Sequence, residues 1–518
     1  MKGSRASISG TAAELYAIAG QKLASGDLEG AISAYGQLLK VEPRNAAALN
    51  NLGAALMKAG RFREAIETLE SALEMHPGYP RATANLGKAL REAGRVDEAI
   101  RHLRKATSAD PNQVTALVNL GDALAATGEL AEAEHALERA ISVNPTLVEA
   151  HMTLGIVRLH AGNLPRALAA LRSAIDLAPG NADAHSNLAH ALFVSGDWQQ
   201  AWPHFEYRFQ RHAHRSKLVP PMGIARWDGS LERNTELWVL GEQGLGDQIQ
   251  FVRYTKTLEA LGVSCVAACD PRIVKLLSQA GLPARVVPLG TPANSNSAKW
   301  TPLLSLPGWH RTRADTVPFY EGYLAADPTR IDTWRARLGN AQGTLRVALA
   351  WAGNPQMETG RYVGRSPPLE ALAPLMTLPN VTYLSLQKHV GESQLDEAPF
   401  RDRILRLPDL DAGPDAFLDT AAVLKCVDLL VTSDTAVAHL AGSLGVATWL
   451  CLMHQPDWRW MLKGSTTPWY ASMRLFRQPR PGDWASVYAE VAGELAARGM
   501  WERSQQGSSP ADIDVGAQ

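Results

Sequence analysis

The residues best suited to chemistry follow short apolar runs in the second half of the chain. The first of them form a glycine-rich turn, GEQGLGD, which follows the run 237–240 and ends at Asp247. Asp247 opens a stretch with the pattern of a helix. The first N–H groups of a helix lack intrahelical partners, so a strand, a tight turn and a helix N-terminus together form a pocket that favours anions.

Four further polar stretches follow apolar runs. WAGNPQMETGRYVGRS follows 345–350, QKHVG follows 381–386, SDTAVAH follows 427–432 and MHQPDWRW follows 446–451. Ligands of open parallel sheets bind outside the carboxyl ends of the strands. We therefore expect these polar stretches to gather where ligands bind.

The elements that must position these residues alternate between short apolar runs and helix-length segments, which predicts parallel βαβ units. The runs are 237–240, 263–268, 285–288, 345–350, 381–386, 427–432 and 446–451. A less regular patch at 290–343 separates two groups of runs. We expect two facing Rossmann-like domains, 236–343 and 344–502, after a linker at 216–235 and before a disordered tail at 503–518.

The first part of the chain repeats with a period of 34 residues. Four ladders share this step: Gly53, Gly87, Gly121 and Gly155; Ala31, Ala65, Ala99, Ala133, Ala167 and Ala201; Gly26, Gly60, Gly94, Gly128, Gly162 and Gly196; and Pro43, Pro77, Pro111, Pro145 and Pro179. The pattern resembles the tetratricopeptide repeat, whose unit is a pair of helices. It predicts an α-solenoid of about six units over 11–215, with a glycine turning between the two helices and a proline ending the second.

A further ladder of polar residues stands two positions before Gly53, Gly87, Gly121 and Gly155, and before Ala189. It consists of Asn51, Asn85, Asn119, Thr153 and Asn187. Apolar packing does not require asparagine, and a row of amides can hold an extended peptide backbone through paired hydrogen bonds. The ladder resembles that of tetratricopeptide-bearing protein glycosyltransferases, and it predicts a peptide groove. The alternative is that each amide bonds to the backbone of the neighbouring repeat.

The composition narrows the class of partner and the compartment. The formal net charge is -1, and no apolar run approaches the roughly 20 residues that span a bilayer, so neither nucleic-acid binding nor a membrane span is expected. Four cysteines, Cys265, Cys269, Cys426 and Cys451, lack zinc-like spacing and are expected to be free thiols. Together with the absence of a signal-peptide pattern, this predicts a cytoplasmic protein without a bound metal.

The motifs favour one class of enzyme over several others. The glycine turn lacks the third glycine of a dinucleotide fingerprint, and no GxxxxGK[ST], HExxH or GxSxG occurs. Leu245-Gly246-Asp247 and SDTAVAHLAGSLG at 433–445 resemble the heptosyltransferase-like (family nine) glycosyltransferases of GT-B fold. With WAGNP and PDWRW behind the repeats, the sequence is also similar to bacterial repeat-containing glycosyltransferases, including those that modify flagellin.

The resemblance implies that a sugar moves from a nucleotide-activated donor, without an obligatory metal or other cofactor, to a protein acceptor recruited by the repeats. Positive groups and helix N-termini are then needed to stabilise the leaving phosphate. The implied donor contacts on the C-terminal domain are Trp351, Asn354, Arg361, Arg365, Gln387, Lys388, Ser433, Asp434, Thr435, Ala436, His439 and Arg459.

The acceptor is implied to approach from the N-terminal domain, beside Gln243, Gly244 and Gly246. Asp247 matches the family aspartate that acts as the general base, and the alternative is that its carboxylate caps the helix. Capping is the favoured role for Asp434.

Other interpretations remain open at this stage. The loop cations have an alternative as ordinary solvated charges, and Trp458 and Trp460 have one as ordinary core residues. Family members often carry glycine where this chain has Ala436. Two alternative functions are a non-catalytic scaffold with a nucleotide-binding, transferase-like domain and a transferase that acts on a glycolipid or lipopolysaccharide.

Overall fold

The computed structural model describes residues 11–211, 223–230, 236–293, 297–339, 344–355, 358 and 364–506. The chain divides into two compact units, Met1–Ala191 and Leu192–Gln518. The first unit is helical. The second contains two parallel β-sheets.

The first unit is built from helix pairs. Its helices are α1 (Ala12–Ser25), α2 (Leu28–Val41), α3 (Ala46–Lys58), α4 (Phe62–Met75), α5 (Pro80–Glu92), α6 (Val96–Ala109), α7 (Val114–Thr127), α8 (Leu130–Val143), α9 (Val148–His160) and α10 (Leu164–Leu177), followed by α11 (Ala182–Ser195), in which the division between the units falls. Local sequence sets several helix starts. Thr11 forms a capping box with Glu14, and the side chains of Asp27 and Asn45 accept first-turn N–H groups.

The glycine ladder is explained by close helix packing. A methyl group on Gly53 would lie 2.6 Å from Leu69 Cγ, and one on Gly87 would lie 2.5 Å from Leu103 Cγ. The second glycine ladder, from Gly26 to Gly196, has positive φ at every member, and it ends the first helix of each pair. The structure confirms the predicted helix pairs and the turns between them.

Most helices of the second unit are shorter than those of the first, and the last is longer. They are α12 (Trp198–Phe205), α13 (Leu245–Phe251), α14 (Tyr254–Ala260), α15 (Val274–Gln279), α16 (Leu306–Trp309), α17 (Pro328–Leu338), α18 (Ala373–Met376), α19 (Gln394–Glu397), α20 (Leu418–Leu424), α21 (Ala436–Ser443) and α22 (Trp484–Gln506). Two 3₁₀ turns, Glu206–Gln210 and Trp458–Trp460, also bear on the site.

The first sheet has the strand order β1-β5-β2-β3-β4, and each pair is parallel. Its strands are β1 (Ala225–Arg226), β2 (Glu236–Leu240), β3 (Ser264–Cys269), β4 (Arg285–Pro288) and β5 (Lys299–Pro302). The chain reverses its direction of travel across the sheet between β2 and β5. The loops after these two strands therefore flank the switch point, where open α/β sheets bind ligands.

The second sheet has the order β11-β10-β9-β6-β7-β8 and is also parallel. Its strands are β6 (Leu345–Ala350), β7 (Val381–Ser385), β8 (Ile404–Leu405), β9 (Leu429–Ser433), β10 (Thr448–Leu452) and β11 (Met473–Arg477). This is the doubly wound order, with the switch point between β6 and β9. The seven predicted strands are all present.

The aromatic residues from Phe193 onward pack within the second unit, which begins at Leu192. Phe193 stacks on Trp458 at 4.0 Å between ring centroids, and Trp198 stacks on Trp469 at 5.3 Å. The indole of Trp202 donates to the carbonyl of Thr312. Part of the predicted linker at 216–235 forms the edge strand β1.

Candidate functional site

Asp247 lies in the first turn of α13, directly after the glycine turn. Gly244 occupies the cap position before this helix, and its N–H donates to Asp247 Oδ2 at 2.9 Å. The carboxylate therefore does stabilise the helix start, from the third helical position and not from the cap position itself. About a fifth of the Asp247 side chain remains exposed. Gln243, in the same turn, is exposed and has a positive φ of 60°.

The second Asp247 oxygen is held by Arg459, which follows β10 in the second sheet. The same guanidinium donates through Nε to Gln250 Oε1 at 2.8 Å and through Nη1 to Asp457 Oδ1 at 2.8 Å. Arg459 therefore ties the helix after β2 to the loop after β10. Burial raises the pKa of Asp247 above its ordinary value, while Arg459 and the Gly244 N–H act in the opposite direction.

Gly246 allows α13 to approach α21 closely. A methyl group at this position would lie 2.8 Å from His439 Cδ2 and 3.2 Å from Ala436 Cα. Ala436 opens α21 and His439 lies one turn further. The N-terminal turn of α13 thus packs on the N-terminal half of α21, which brings predicted residues from both sheets together.

The switch point of the second sheet is lined by small and cationic residues. A methyl group on Gly353, after β6, would lie 3.1 Å from Arg365 Nη2 and 3.8 Å from Thr435 Cγ2. The Gly353 N–H donates to Ser366 Oγ at 2.9 Å. Thr435 occupies the cap position before α21, but its side chain does not cap the helix. The first-turn N–H groups of α21 therefore face this region without a side-chain cap.

Asp434 does not cap α21, contrary to the favoured expectation, because the helix begins one residue later, with Thr435 in the cap position. Its side chain is instead buried beside other charged groups. Burial and the neighbouring Asp457 raise the pKa of Asp434 to about 6, although Arg365 and Arg459 act to lower it. The site therefore contains a carboxyl group that titrates close to neutral pH.

His439 is buried and uncharged. Burial, with the nearby Arg459, lowers the pKa of its imidazole to about 3. Its Nδ1 lies 3.1 Å from the hydroxyl of Tyr470, and its ring stacks on Trp460 at 5.3 Å. A neutral imidazole here offers hydrogen bonding but no positive charge to an anion.

Several residues that were predicted to contact the sugar donor instead form hydrogen bonds to other residues of the fold. The Trp351 ring is fully buried and donates to Gln394, so it is not open to a ligand. Gln387 accepts the N–H groups of Trp351 and Ala352 at 2.9 Å each. Buried Ser433 donates to the Trp351 carbonyl at 2.9 Å. These contacts fix the ends of β6, β7 and β9 relative to one another.

The remaining predicted donor contacts have mixed placements. Lys388 donates to the carbonyls of Leu410 and Asp411, so its ammonium holds a loop of its own sheet. Asn354 is exposed after β6. Arg361 lies outside the described residues. Trp458 and Trp460 are both buried, as the core alternative expected.

Gln250 and Asp457 belong to this site but were not selected from the sequence. Gln250 is fully buried, and its Oε1 accepts from Arg459, while its Nε2 has no hydrogen-bond partner among the residues that the structure describes. The sequence feature that could have identified Gln250 is its position one turn after Asp247 on the same helix. Asp457 precedes Arg459 by two residues, and that short spacing was the available sequence signal.

The switch point of the first sheet is filled by an ion pair. Arg208, from the turn after α12, donates to Glu242 through Nη2 at 2.7 Å and through Nε at 3.1 Å. Glu242 follows β2 and also accepts the Leu304 N–H, after β5, at 3.2 Å. Both charged side chains are buried. The positive charge of Arg208 at this edge of the sheet is therefore already neutralised by Glu242.

The asparagine ladder forms hydrogen bonds to the preceding repeat. Asn51 donates to the Tyr16 hydroxyl at 2.8 Å, Asn85 to Asn50 Oδ1 at 2.8 Å, and Asn119 to the Ala84 carbonyl at 2.9 Å. In each pair the partner lies 35 residues earlier. These contacts agree with the alternative in which the amides join neighbouring repeats, although only Asn119 reaches backbone. Asn187 is half-buried.

Two general features of the described parts of the chain bear on function. No helix there combines the length and hydropathy that crossing a bilayer requires. No group of three or more histidine, cysteine, aspartate or glutamate side chains in those same parts is arranged to hold a metal ion. All four cysteines are free thiols.

The repeat prediction is confirmed by comparison with known families. Residues 22–84, 56–113, 90–155 and 158–201 match the family model described as tetratricopeptide repeat. The thermophilic tetratricopeptide protein TTC0263 of Thermus thermophilus is 25% identical and covers 35% of this chain and 99% of its own, with a TM-score of 0.33. The protein MamA is 29% identical over 31% of this chain and 94% of its own, with a TM-score of 0.27.

The chain is also similar to the protein FlbA of Caulobacter vibrioides. The two are 26% identical over 332 residues, which is 59% of this chain. The chain spans about half the length of this curated relative, 54%. The chain thus contains tetratricopeptide repeats and has modest similarity to FlbA. A helical solenoid precedes a region of parallel sheets, and the repeats support a role in protein interaction.

Proposed function

We propose that the second unit is a glycosyltransferase of GT-B type, which moves a sugar from a nucleotide-activated donor to a protein acceptor bound by the repeats. One observation carries the proposal. Asp247, after a strand of the first sheet, pairs with Arg459, which follows a strand of the second sheet and also holds Asp457. The neighbouring Gly246 packs on His439 near the start of α21. Loops from both parallel sheets therefore contribute acidic, basic and hydrogen-bond-donating side chains to one cluster.

Donor binding is assigned to the switch point of the second sheet. Arg365 and the uncapped first turn of α21 supply positive charge and N–H groups there, beside the small residue Gly353. Such groups suit a diphosphate that gains negative charge as the glycosidic bond breaks. The pairing of Arg459 with two carboxylates makes it a link between the sheets more than a free phosphate contact.

Proton transfer is assigned to Asp247. Its carboxylate takes the proton from the acceptor hydroxyl, whose oxygen bonds to the anomeric carbon while the bond from that carbon to the diphosphate breaks. The raised pKa strengthens Asp247 as a base, and its partial exposure gives an acceptor access. The acceptor is then a hydroxyl-bearing protein, with flagellin as the specific candidate suggested by the sequence resemblance.

The test begins with a donor. Calorimetric titration of the purified chain with UDP, GDP, ADP, CDP and dTDP identifies the nucleotide, and the matching nucleotide sugars follow. Mass spectrometry of candidate acceptors, from cells with and without the protein, identifies the product. Asp247→Asn is expected to retain nucleotide binding and to lose transfer. A variant with undiminished transfer would remove Asp247 from the mechanism.

A non-catalytic scaffold is the second candidate, and a specific observation favours it. Trp351, Gln387 and Lys388 all have partners within the fold, so these predicted ligand contacts have structural explanations. The scaffold predicts that no sugar is transferred to any candidate acceptor, whether or not a nucleotide binds. Transfer of a sugar from a nucleotide sugar to an acceptor, lost on Arg365→Ala, would reject it.

A further inference from the structure

A cavity lies in the first-sheet part of the second unit. Its volume is about 430 Å³, within the range of about 300–1,000 Å³ that is usual for small-ligand sites. Its walls come from α12, the turn that follows it, and the segment after β5. The lining residues that bear on the argument are Gln199, Trp202, Glu206, Ser305, Trp309 and Arg311.

Two indole rings form the apolar part of the cavity. Trp202 is almost fully buried, and its Nε1 donates to the Thr312 carbonyl at 2.9 Å, which fixes the ring. Trp309 is 43% exposed and packs on Trp227 at 5.2 Å between ring centroids. A methyl group on Gly229 would lie only 2.6 Å from the Trp309 ring, so this glycine leaves the space that the ring occupies. The cavity thus has one fixed and one accessible aromatic wall.

The polar part of the cavity is organised by Glu206. Its carboxylate accepts from Ser305 Oγ at 2.7 Å, from Arg208 Nη1 at 2.8 Å and from Arg226 Nη2 at 2.7 Å. These partners hold the carboxylate in place beside the switch point of the first sheet, where α/β sheets bind ligands. Each carboxylate oxygen has more than one acceptor position, so Glu206 can still accept from a ligand hydroxyl.

The lining favours a neutral ligand rich in hydroxyl groups. Among the named lining residues, the negative charge of Glu206 is balanced by the positive charge of Arg311, so the walls do not select a strongly charged molecule. A peptide added as a strand is not favoured, because β5 already pairs with β1 on one side and β2 on the other. Aromatic faces beside carboxylate, hydroxyl, amide and guanidinium groups match the two faces of a sugar ring, one of C–H groups and one of hydroxyls.

We infer that this cavity binds a carbohydrate, at a place separate from the switch point of the second sheet. The ring stacks on Trp309, and its hydroxyls bond to Glu206, Ser305 and Arg311. The inference concerns binding alone, so it stands or falls independently of whether the second sheet transfers a sugar.

The experiment uses the full chain and defined probes. Methyl glycosides of glucose, galactose, mannose, rhamnose and N-acetylglucosamine are tested by saturation-transfer NMR and then titrated by tryptophan fluorescence. At least one glycoside is expected to bind with a millimolar Kd. Trp309→Ala is expected to weaken its binding roughly tenfold, because the main stacking face is removed. Nucleoside diphosphate affinity, measured in parallel, should not change.

Two further variants keep the result interpretable. Arg311→Ala, at an exposed position on the rim, should weaken binding roughly threefold even if Trp309→Ala unfolds. Phe319→Ala is the matched control, since Phe319 is a 40% exposed aromatic residue that does not line the cavity. Failure of every glycoside to bind, binding that survives both cavity variants, or binding of acetyl-Ala-Trp-Ala-amide with no glycoside would each overturn the inference.

Discussion

Replacement of Asp434 by asparagine should stabilise the second unit at neutral pH. The pKa of Asp434 rises from 3.8 to about 6 in the folded protein. A raised carboxyl pKa means that the folded state binds a proton more tightly than the unfolded state. Its contribution to stability is therefore fully present below about pH 4 and is lost as the pH rises through about 6. Asparagine resembles the protonated acid in shape and charge and does not titrate.

The size of the effect follows from the shift. A change from 3.8 to about 6 corresponds to roughly 3 kcal/mol at about 1.4 kcal/mol per pKa unit. The opposing effects of Asp457, which raises the pKa, and of Arg365 and Arg459, which lower it, are already contained in this net value. Asp434→Asn should thus gain about 3 kcal/mol over the native chain between pH 4 and pH 7.5.

Tryptophan fluorescence is a selective assay for this experiment. All 14 tryptophans lie at or beyond position 198, so their emission follows the second unit during urea unfolding. Asp402→Asn is the matched control, because the Asp402 side chain is 96% exposed. A stability difference between Asp434→Asn and the native chain that stays constant with pH, or that grows toward acid, would refute the reasoning.

The other predictions concern packing, orientation and the repeats. In Gly246→Ala, overpacking should destabilise the second unit by about 1–3 kcal/mol, and the higher helix propensity of alanine should return about 1 kcal/mol of this. Urea unfolding measures the net change in stability. Arg459→Lys keeps the charge but loses the planar fork, so the pKa of Asp247, followed by carboxyl ¹³C NMR, should rise further. Asn119→Ala removes a buried hydrogen bond and should cost the first unit about 1–3 kcal/mol, seen by circular dichroism.

Each of these has its own control. Gly493→Ala in α22 meets no atom within 4 Å and should be neutral or stabilising, so equal losses at both glycines would contradict the packing argument. An unchanged Asp247 titration in Arg459→Lys would show that the ion pair does not set its pKa. For the ladder, Thr153→Ala is the comparison, and a greater loss there than at Asn119 would contradict the role given to the inter-repeat amide.

Much of the fold follows from local sequence patterns. The 34-residue ladders predict the helix pairs because each small or turn-forming residue is required within one unit. Strands with nearly continuous apolar runs, such as β3 and β10, are predictable because they are buried on both faces. β5 was missed because Lys299–Pro302 has no run of aliphatic residues, and its strand conformation depends on pairing with β1 and β2.

The site was predictable only in part, for a related reason. The sequence places Asp247 after a strand, but its contact with Arg459 joins residues 212 positions apart, and nothing local specifies that pairing. The burial that shifts the pKa values of Asp434 and His439 likewise depends on how α13 packs against α21. Roles such as those of Lys388 and Gln387 depend on which loop carbonyls and N–H groups lie within reach.

The two sheets differ in what occupies their switch points, and this difference separates their roles without reference to any family. In the first sheet, Arg208 is buried between Glu242 and Glu206, so its charge is already balanced by two carboxylates. A phosphate placed there would meet two acids and displace a buried ion pair, at a cost of several kcal/mol. In the second sheet, Gly353 lies against Arg365 and Thr435, and the side chain of Thr435 does not cap the first turn of α21. The charges at the two switch points favour the second sheet for an anionic ligand and leave the first for a neutral one.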